Sequence, residues 1–172
     1  SGEVFEPNEL KRKIIEADAI ILSTPVYFGD RGSLAQSLIE FIASDQGFAK
    51  LCEGKVFGGI SVGAKRNGGQ ETTLIYLLLD MVNLDFLVVG NSSNTTSQYG
   101  GTAVAGDVGK LHEDQYGLET SIGTGERVAR IADLSARGSL GNVRLVSKLR
   151  LQLWLLADDA DAKGESFFST WA

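Results

Sequence analysis

Two short strings hold the residue types best suited to grip a flat ring. The first is Thr24-Pro25-Val26-Tyr27-Phe28-Gly29. It sets a rigid proline, two aromatics and a glycine directly after an apolar run. Aromatic faces can pack on a planar ligand, and backbone N–H groups freed from a strand can bond its oxygens and nitrogens. The same string would also serve as a turn whose aromatics cap the core. The second is Ser61-Val62-Gly63-Ala64-Lys65-Arg66-Asn67-Gly68-Gly69, followed by Gln70 and Glu71. Glycines let a backbone approach a ligand closely, and the N–H groups opening the next helix favour electron-rich atoms. Lys65 and Arg66 add positive charge for an anionic ligand, or stand as two solvated loop cations. A third, hydroxyl-rich stretch runs from Asn91 to Tyr99-Gly100-Gly101-Thr102. It resembles a phosphate cradle in composition but follows the wrong strand for one, so a polar loop with Tyr99 as a ring contact is expected.

The elements around these strings alternate. Pro7 to Glu16 reads as a helix, with proline suited to its first turn. Ala19 to Thr24 is a continuous apolar run stopped by Pro25, as in a strand covered on both faces. Ser33 to Ala43 has helical spacing, Val56 to Val62 reads as a strand, and a helix follows from about Glu71. Phe86 to Gly90 is a third strand, and Leu118 to Ala132 a last long helix. No helical period marks Asn91 to Gly117. Strands alternating with helices imply right-handed crossovers and a parallel sheet, with ligands beyond the carboxyl ends of its strands. The tail from Asn142 to Ala157 fits a helix through Val143, Val146, Leu149, Leu153 and Leu156. It also alternates like a strand through Leu149, Leu151, Leu153 and Leu155. Length and composition favour the helix.

Composition narrows the chemistry. The 172 residues, 43% hydrophobic with a net charge of −6, suit one domain with a buried core and argue against a nucleic-acid groove. Cys52 is the only cysteine and His112 the only histidine. This chain alone therefore builds no disulfide, iron–sulfur cluster or His-rich metal site, and a serine triad with a spare base is not expected. The lone cysteine is compatible with a reducing cytoplasm, the expected location. The first residues lack the pattern of a signal peptide, and no apolar stretch is long enough to span a bilayer.

Ala17 through Gly29 resembles the flavin loop of the NADPH-dependent FMN reductase superfamily. Gly68-Gly69-Gln70-Glu71-Thr72-Thr73-Leu74 resembles the second flavin loop of its branch containing iron–sulfur flavoproteins and Trp-repressor-binding-protein-type quinone reductases. Tyr99-Gly100-Gly101-Thr102 with Ala105-Gly106 is similar to that branch's third loop. The resemblance spans roughly residues 8 to 135. It implies a flavodoxin-like, three-layer α/β sandwich with FMN at the strand ends, NAD(P)H as donor, a quinone or similar acceptor, and a homo-oligomer. Thr24, Pro25, Val26, Tyr27, Phe28 and Gly29 would line the ring and ribityl chain. Ser61, Val62, Gly63, Ala64, Lys65, Arg66, Asn67, Gly68 and Gly69 would hug the ring edge, and Tyr99 and Gly100 would close the site. Gln70 and Glu71 would fix the loop. No side chain is named as catalytic and no metal is expected, since the flavin carries the chemistry. The alternatives are an electron-transfer flavoprotein without its own nicotinamide reaction, or a non-catalytic subunit of a larger complex. The family's first strand and phosphate loop have no counterpart here. Residues 1–138 are thus expected to form the carboxyl-terminal part of an incomplete flavodoxin-like domain, with 139–172 a helical extension. The apolar edge along Ala19 to Leu22 is expected to need a strand from upstream or from a companion chain.

Overall fold

The computed structural model describes residues 6–91 and 99–138 with their side chains, and 151–155 as backbone. In chain order the elements are α1 (Pro7–Glu16), β1 (Ala19–Tyr27), β2 (Asp30–Arg31), α2 (Ser33–Ala43), α3 (Gln46–Cys52), β3 (Val56–Gly63), α4 (Gln70–Asn83), β4 (Leu87–Val89), β5 (Gly101–Val104), a 3-10 turn (Leu111–Glu113), α5 (Gln115–Gly138) and β6 (Leu151–Leu155).

Two strands carry the sheet. β1 lies parallel to β3, with Ala19 opposite Val56 and Pro25 opposite Val62. The far edge of β3 is shared. β4 pairs with its first half, Leu87 opposite Val56, and β5 with its second half, Gly101 opposite Ile60 and Val104 opposite Gly63. Only β2, which turns back on the end of β1, is antiparallel.

Helices cover both faces. Ile20, Leu22 and Phe57 point to one side and pack with Leu38, Ile42, Phe48, Leu77 and Met81 of α2, α3 and α4. Ala19, Ile21 and Val56 point to the other and meet Val128 and Ala132 of α5. This is the alternation a strand imposes on its side chains, and it explains why β1 has no polar face. Each fully buried side chain of this size contributes about 1.5–3 kcal/mol. The flavodoxin-like three-layer expectation is met.

Three expectations change. β1 does not stop at Pro25 but continues to Tyr27. Its pairing with β6 ends at Ser23 opposite Leu155, so the missing proline N–H falls on a stretch of β1 that β6 does not reach. The polar segment after Asn91 contains a strand, β5, too short and too rich in Gly and Thr to show a pattern. The expected helix at the tail is, over Leu151–Leu155, the parallel strand β6. Its register sets Ala19 opposite Leu151 and Leu22 opposite Trp154. A strand's demand for a second neighbour outweighed the helix propensity of Leu and Gln. The edge of β1 expected to be covered from beyond this sequence is covered from within it. The remainder of the tail, 139–150 and 156–172, lies outside the described residues.

Candidate functional site

The parallel sheet brings three turns to its carboxyl end: Phe28-Gly29 after β1, 64–69 after β3, and the turn that begins at Ala105 after β5. The first is a two-residue hairpin, since Tyr27 pairs with Asp30. Phe28 and Gly29 have φ of 53° and 81°, the positive values a type I′ turn requires. Asn or Gly normally fills such positions, and phenylalanine there is strained by about 1–3 kcal/mol. Phe28 is nonetheless fully exposed at the tip, and Tyr27 is 48% exposed. Below the tip the hairpin is anchored. Arg31 donates to Gln36 Oε1 at 2.7 Å and pairs with Asp80 of α4. The Gly32 amide donates to Thr24 Oγ1 at 2.9 Å.

The second loop is stitched from within by Gln70, which is 3% exposed. Its Nε2 donates to Lys65 O at 2.7 Å and Ala103 O at 3.3 Å, and its Oε1 accepts from the Gly68 amide at 2.8 Å. Gly63 leaves room for this amide, since a Cβ there would lie 2.5 Å from Gln70 Nε2. Ser61 Oγ donates to Gln70 O at 2.9 Å. Asn67 and Gly69 take φ of 60° and 104°.

These two loops touch. A Cβ on Gly69 would sit 2.8 Å from Gly29 Cα and 3.3 Å from Val26 Cγ1. The contact is made by glycine backbones on both sides, and it sets the aromatics of one loop beside the exposed backbone of the other. Ala64, Lys65, Arg66, Asn67 and Gly68 are all exposed. A cleft of about 500 Å³ opens next to them, lined by Arg66, Asn67, Gly69, Gln70, Thr102 and Tyr116 among others.

The sequence-derived site thus divides. Tyr27, Phe28, Gly29 and 64–69 come together at the strand ends, with Pro25, Val26 and Val62 immediately beneath. Thr24 and Ser61 are buried and turn their hydroxyls to backbone partners, so they hold the loops. Arg66 is no free cation. Its guanidinium donates to Thr102 O at 3.0 Å, pairs with Asp114 and lies 5.0 Å over the Tyr116 ring. Gly100 lies beside the body of β3 rather than at its carboxyl end. A Cβ on Gly100 would lie 2.3 Å from Gly59 O, which places that glycine against the middle of β3, about 13 Å short of Gly63 at strand rise. Residues 92–98 of the third string lie outside the described residues. Sequence reading missed Asp114, Tyr116 and Thr102; the signal for Asp114 was its place as an N-cap before Gln115-Tyr116-Gly117.

Among the described residues, the burial-shifted groups lie at the other end of β3. Burial pushes the Cys52 thiol up, and it pushes down the Lys55 amine, which donates to Ile15 O and Ala17 O. The described residues bring no cluster of metal-ligand type together. The loops offer hydrogen-bond donors and aromatic surface, which fits a site whose ligand brings its own reactivity.

A mostly parallel sheet sandwiched by helices, with the candidate loops at its carboxyl edge, is a flavodoxin-like architecture. A solved flavodoxin, a WrbA-like protein from Agrobacterium tumefaciens, superposes with a TM-score of 0.56 at 28% identity, covering 71% of this chain and 70% of that one. The chain belongs to the NADPH-dependent FMN reductase family, whose model matches residues 3–100. FMN is the flavin of that family. The chain is 38% identical over 131 residues to an iron–sulfur flavoprotein of Methanocaldococcus jannaschii, across 76% of this chain and 67% of that protein. It is 30% identical to the iron–sulfur flavoprotein of Methanosarcina thermophila, across 74% and 62%. It is 28% identical to an NAD(P)H dehydrogenase (quinone) of Cupriavidus metallidurans, across 67% and 63%. The matched stretch therefore spans about two thirds of these relatives' length. No helix among the described residues is long and apolar enough to cross a membrane.

Proposed function

We propose that this chain supplies the ring-binding part of an FMN-dependent oxidoreductase that passes reducing equivalents from NAD(P)H to a quinone or similar acceptor. The observation that carries this reading is the contact of Gly29 with Gly69, which joins an exposed aromatic hairpin to an exposed, donor-rich loop. Tyr27 and Phe28 would face the ring or the nicotinamide. The backbone from Ala64 to Gly68 would meet the ring edge, with Lys65 the cation nearest to hand. Bound FMN would supply the two-electron chemistry; the chain holds and orients it. Oligomer formation is part of the proposal, supported by the outward stripe of Ile75, Tyr76, Leu79 and Val82 on α4, each at least a third exposed.

A second reading is an electron-transfer flavoprotein without its own nicotinamide reaction. The iron–sulfur flavoproteins among its relatives, at 38% and 30% identity, favour it. One experiment separates the two. The protein is titrated with FMN by flavin fluorescence, then treated anaerobically with NADPH or NADH while flavin absorbance is followed. Binding with prompt bleaching supports the oxidoreductase, and reoxidation by added quinone supports the acceptor class. Binding without bleaching supports the second reading. No binding overturns both. Sedimentation of the same sample tests the oligomer.

A further inference from the structure

The free edge of β5 is closed by side chains, and one of them reaches the flavin loop. Residues 102 and 104 present their backbone polar groups to the side away from β3. Such edge groups need partners. The Thr102 amide donates to Thr120 Oγ1 at 3.0 Å, Thr102 O accepts from Arg66 at 3.0 Å, and the Val104 amide donates to Asp114 Oδ2 at 2.7 Å. Asp114 Oδ1 also accepts the Gly117 amide at 3.1 Å, which makes it the N-cap of α5, and it pairs with Arg66 Nη2. One carboxylate thus fixes the end of β5, the start of α5 and the cation of the loop 64–69.

We propose that Asp114 is a positioning residue for the flavin loop, acting through Arg66. The proposal rests on reading 64–69 as that loop. Arg66 is next to Asn67, whose φ is 60°, and three residues before Gly69, whose φ is 104°. Holding the guanidinium at Thr102, Asp114 and Tyr116 restrains the chain just before the two positive-φ residues that bring Gly69 onto Gly29. Asp114 is 14% exposed at its side chain while Arg66 is 41% exposed, so the hold on Arg66 comes from its three fixed partners together rather than from the ion pair alone. Asp114 is not among the residues that line the cleft.

Asp114→Asn tests this, because asparagine keeps the helix cap while losing the charge. The melting temperature is expected to move little. Amide exchange of Gly68, measured without ligand, should speed up about tenfold. FMN binding should weaken about tenfold, and the midpoint potential of bound flavin should shift. Arg66→Gln should reproduce these changes, and the double variant should be no worse than either alone, as a shared interaction requires. Thr120→Val serves as control, since it removes another partner of the same edge without touching the loop. If Thr120→Val changes loop exchange and FMN affinity as much as Asp114→Asn, general damage to the edge explains the effect and the proposal fails. It fails also if Asp114→Asn leaves Gly68 exchange unchanged. Absence of FMN binding by the unaltered protein would instead overturn the reading of the site, while the exchange measurement would still decide whether Asp114 fixes the loop.

Discussion

The two loops that meet at Gly29 and Gly69 are built on opposite plans. The hairpin is held at its base, by Arg31 to Gln36 and Asp80 and by Thr24 to Gly32, and the Phe28 side chain at its tip is fully exposed. It presents side chains. The loop 64–69 is tied from inside by Gln70 and from the flank by Arg66, and its residues from Ala64 to Gly68 are exposed. A ligand held between them would meet aromatic surface on one side and directed hydrogen bonds on the other. The difference teaches which residues serve stability and which serve binding. In the second loop the two cannot be separated, because the buried amide that shapes the backbone also holds the helix start. In the hairpin they oppose each other, because the exposed phenylalanine occupies a conformation that glycine or asparagine would fill at lower cost.

Four substitutions test this contrast. Gly69→Val should be the most damaging. A β-branched residue at φ 104°, with its Cβ 2.8 Å from Gly29 Cα, should part the loops, costing about 2–3 kcal/mol of stability and abolishing measurable FMN binding. The sequence alone suggests that this change would hurt affinity more than folding; the contact with Gly29 makes both suffer, and thermal melting beside flavin titration checks it. Gln70→Ala should follow. It strands the Gly68 amide and the Lys65 carbonyl, at about 2 kcal/mol, with weaker FMN binding in the same titration. Unchanged stability there would break the claim that the loop is shaped from within. Phe28→Asn should move the two quantities in opposite directions. Stability should rise by about 0.5–1 kcal/mol in urea melts, while flavin affinity or nicotinamide-driven reduction falls several-fold. A loss of stability instead would mean the tip is packed after all. Lys65→Ala should change stability by less than about 0.5 kcal/mol and produce at most a small shift in flavin potential.

Much of this was legible in the sequence, for reasons particular to each segment. The strand at Ala19 announced itself through an unbroken apolar run, that at Val56 through a run interrupted by Gly58, Gly59 and Ser61, and the helices at Ser33 and Gln70 through periodic ones. The two loops were found because proline, aromatics and glycines stand just after those runs. β5 was missed because Gly101-Thr102-Ala103-Val104 is short, and its outer edge is closed by the side chains of Thr120, Asp114 and Arg66 rather than by another strand. The role of Arg66 was missed because its partner Asp114 lies far along the chain, and charge alone cannot tell a solvated arginine from a committed one. The tail was misread because Leu-rich sequence satisfies both periods, and only the open edge of β1 decides between them. Gly100 looked like a loop residue by composition, yet its lack of a side chain serves contact with Gly59.

The position of β6 has a consequence in time. A ribosome delivers β1 well before β6, and the strand that covers its outer edge emerges only after α1 to α5. Until then the row of amides and carbonyls along Ala19 to Ser23 faces the cell unpaired, between two apolar faces already closing over it. β6 is therefore the segment that ends this exposure. A chain released before Leu151 should keep both loops of the candidate site in their sequence yet carry a sticky edge, and it should be found in the insoluble fraction or with chaperones.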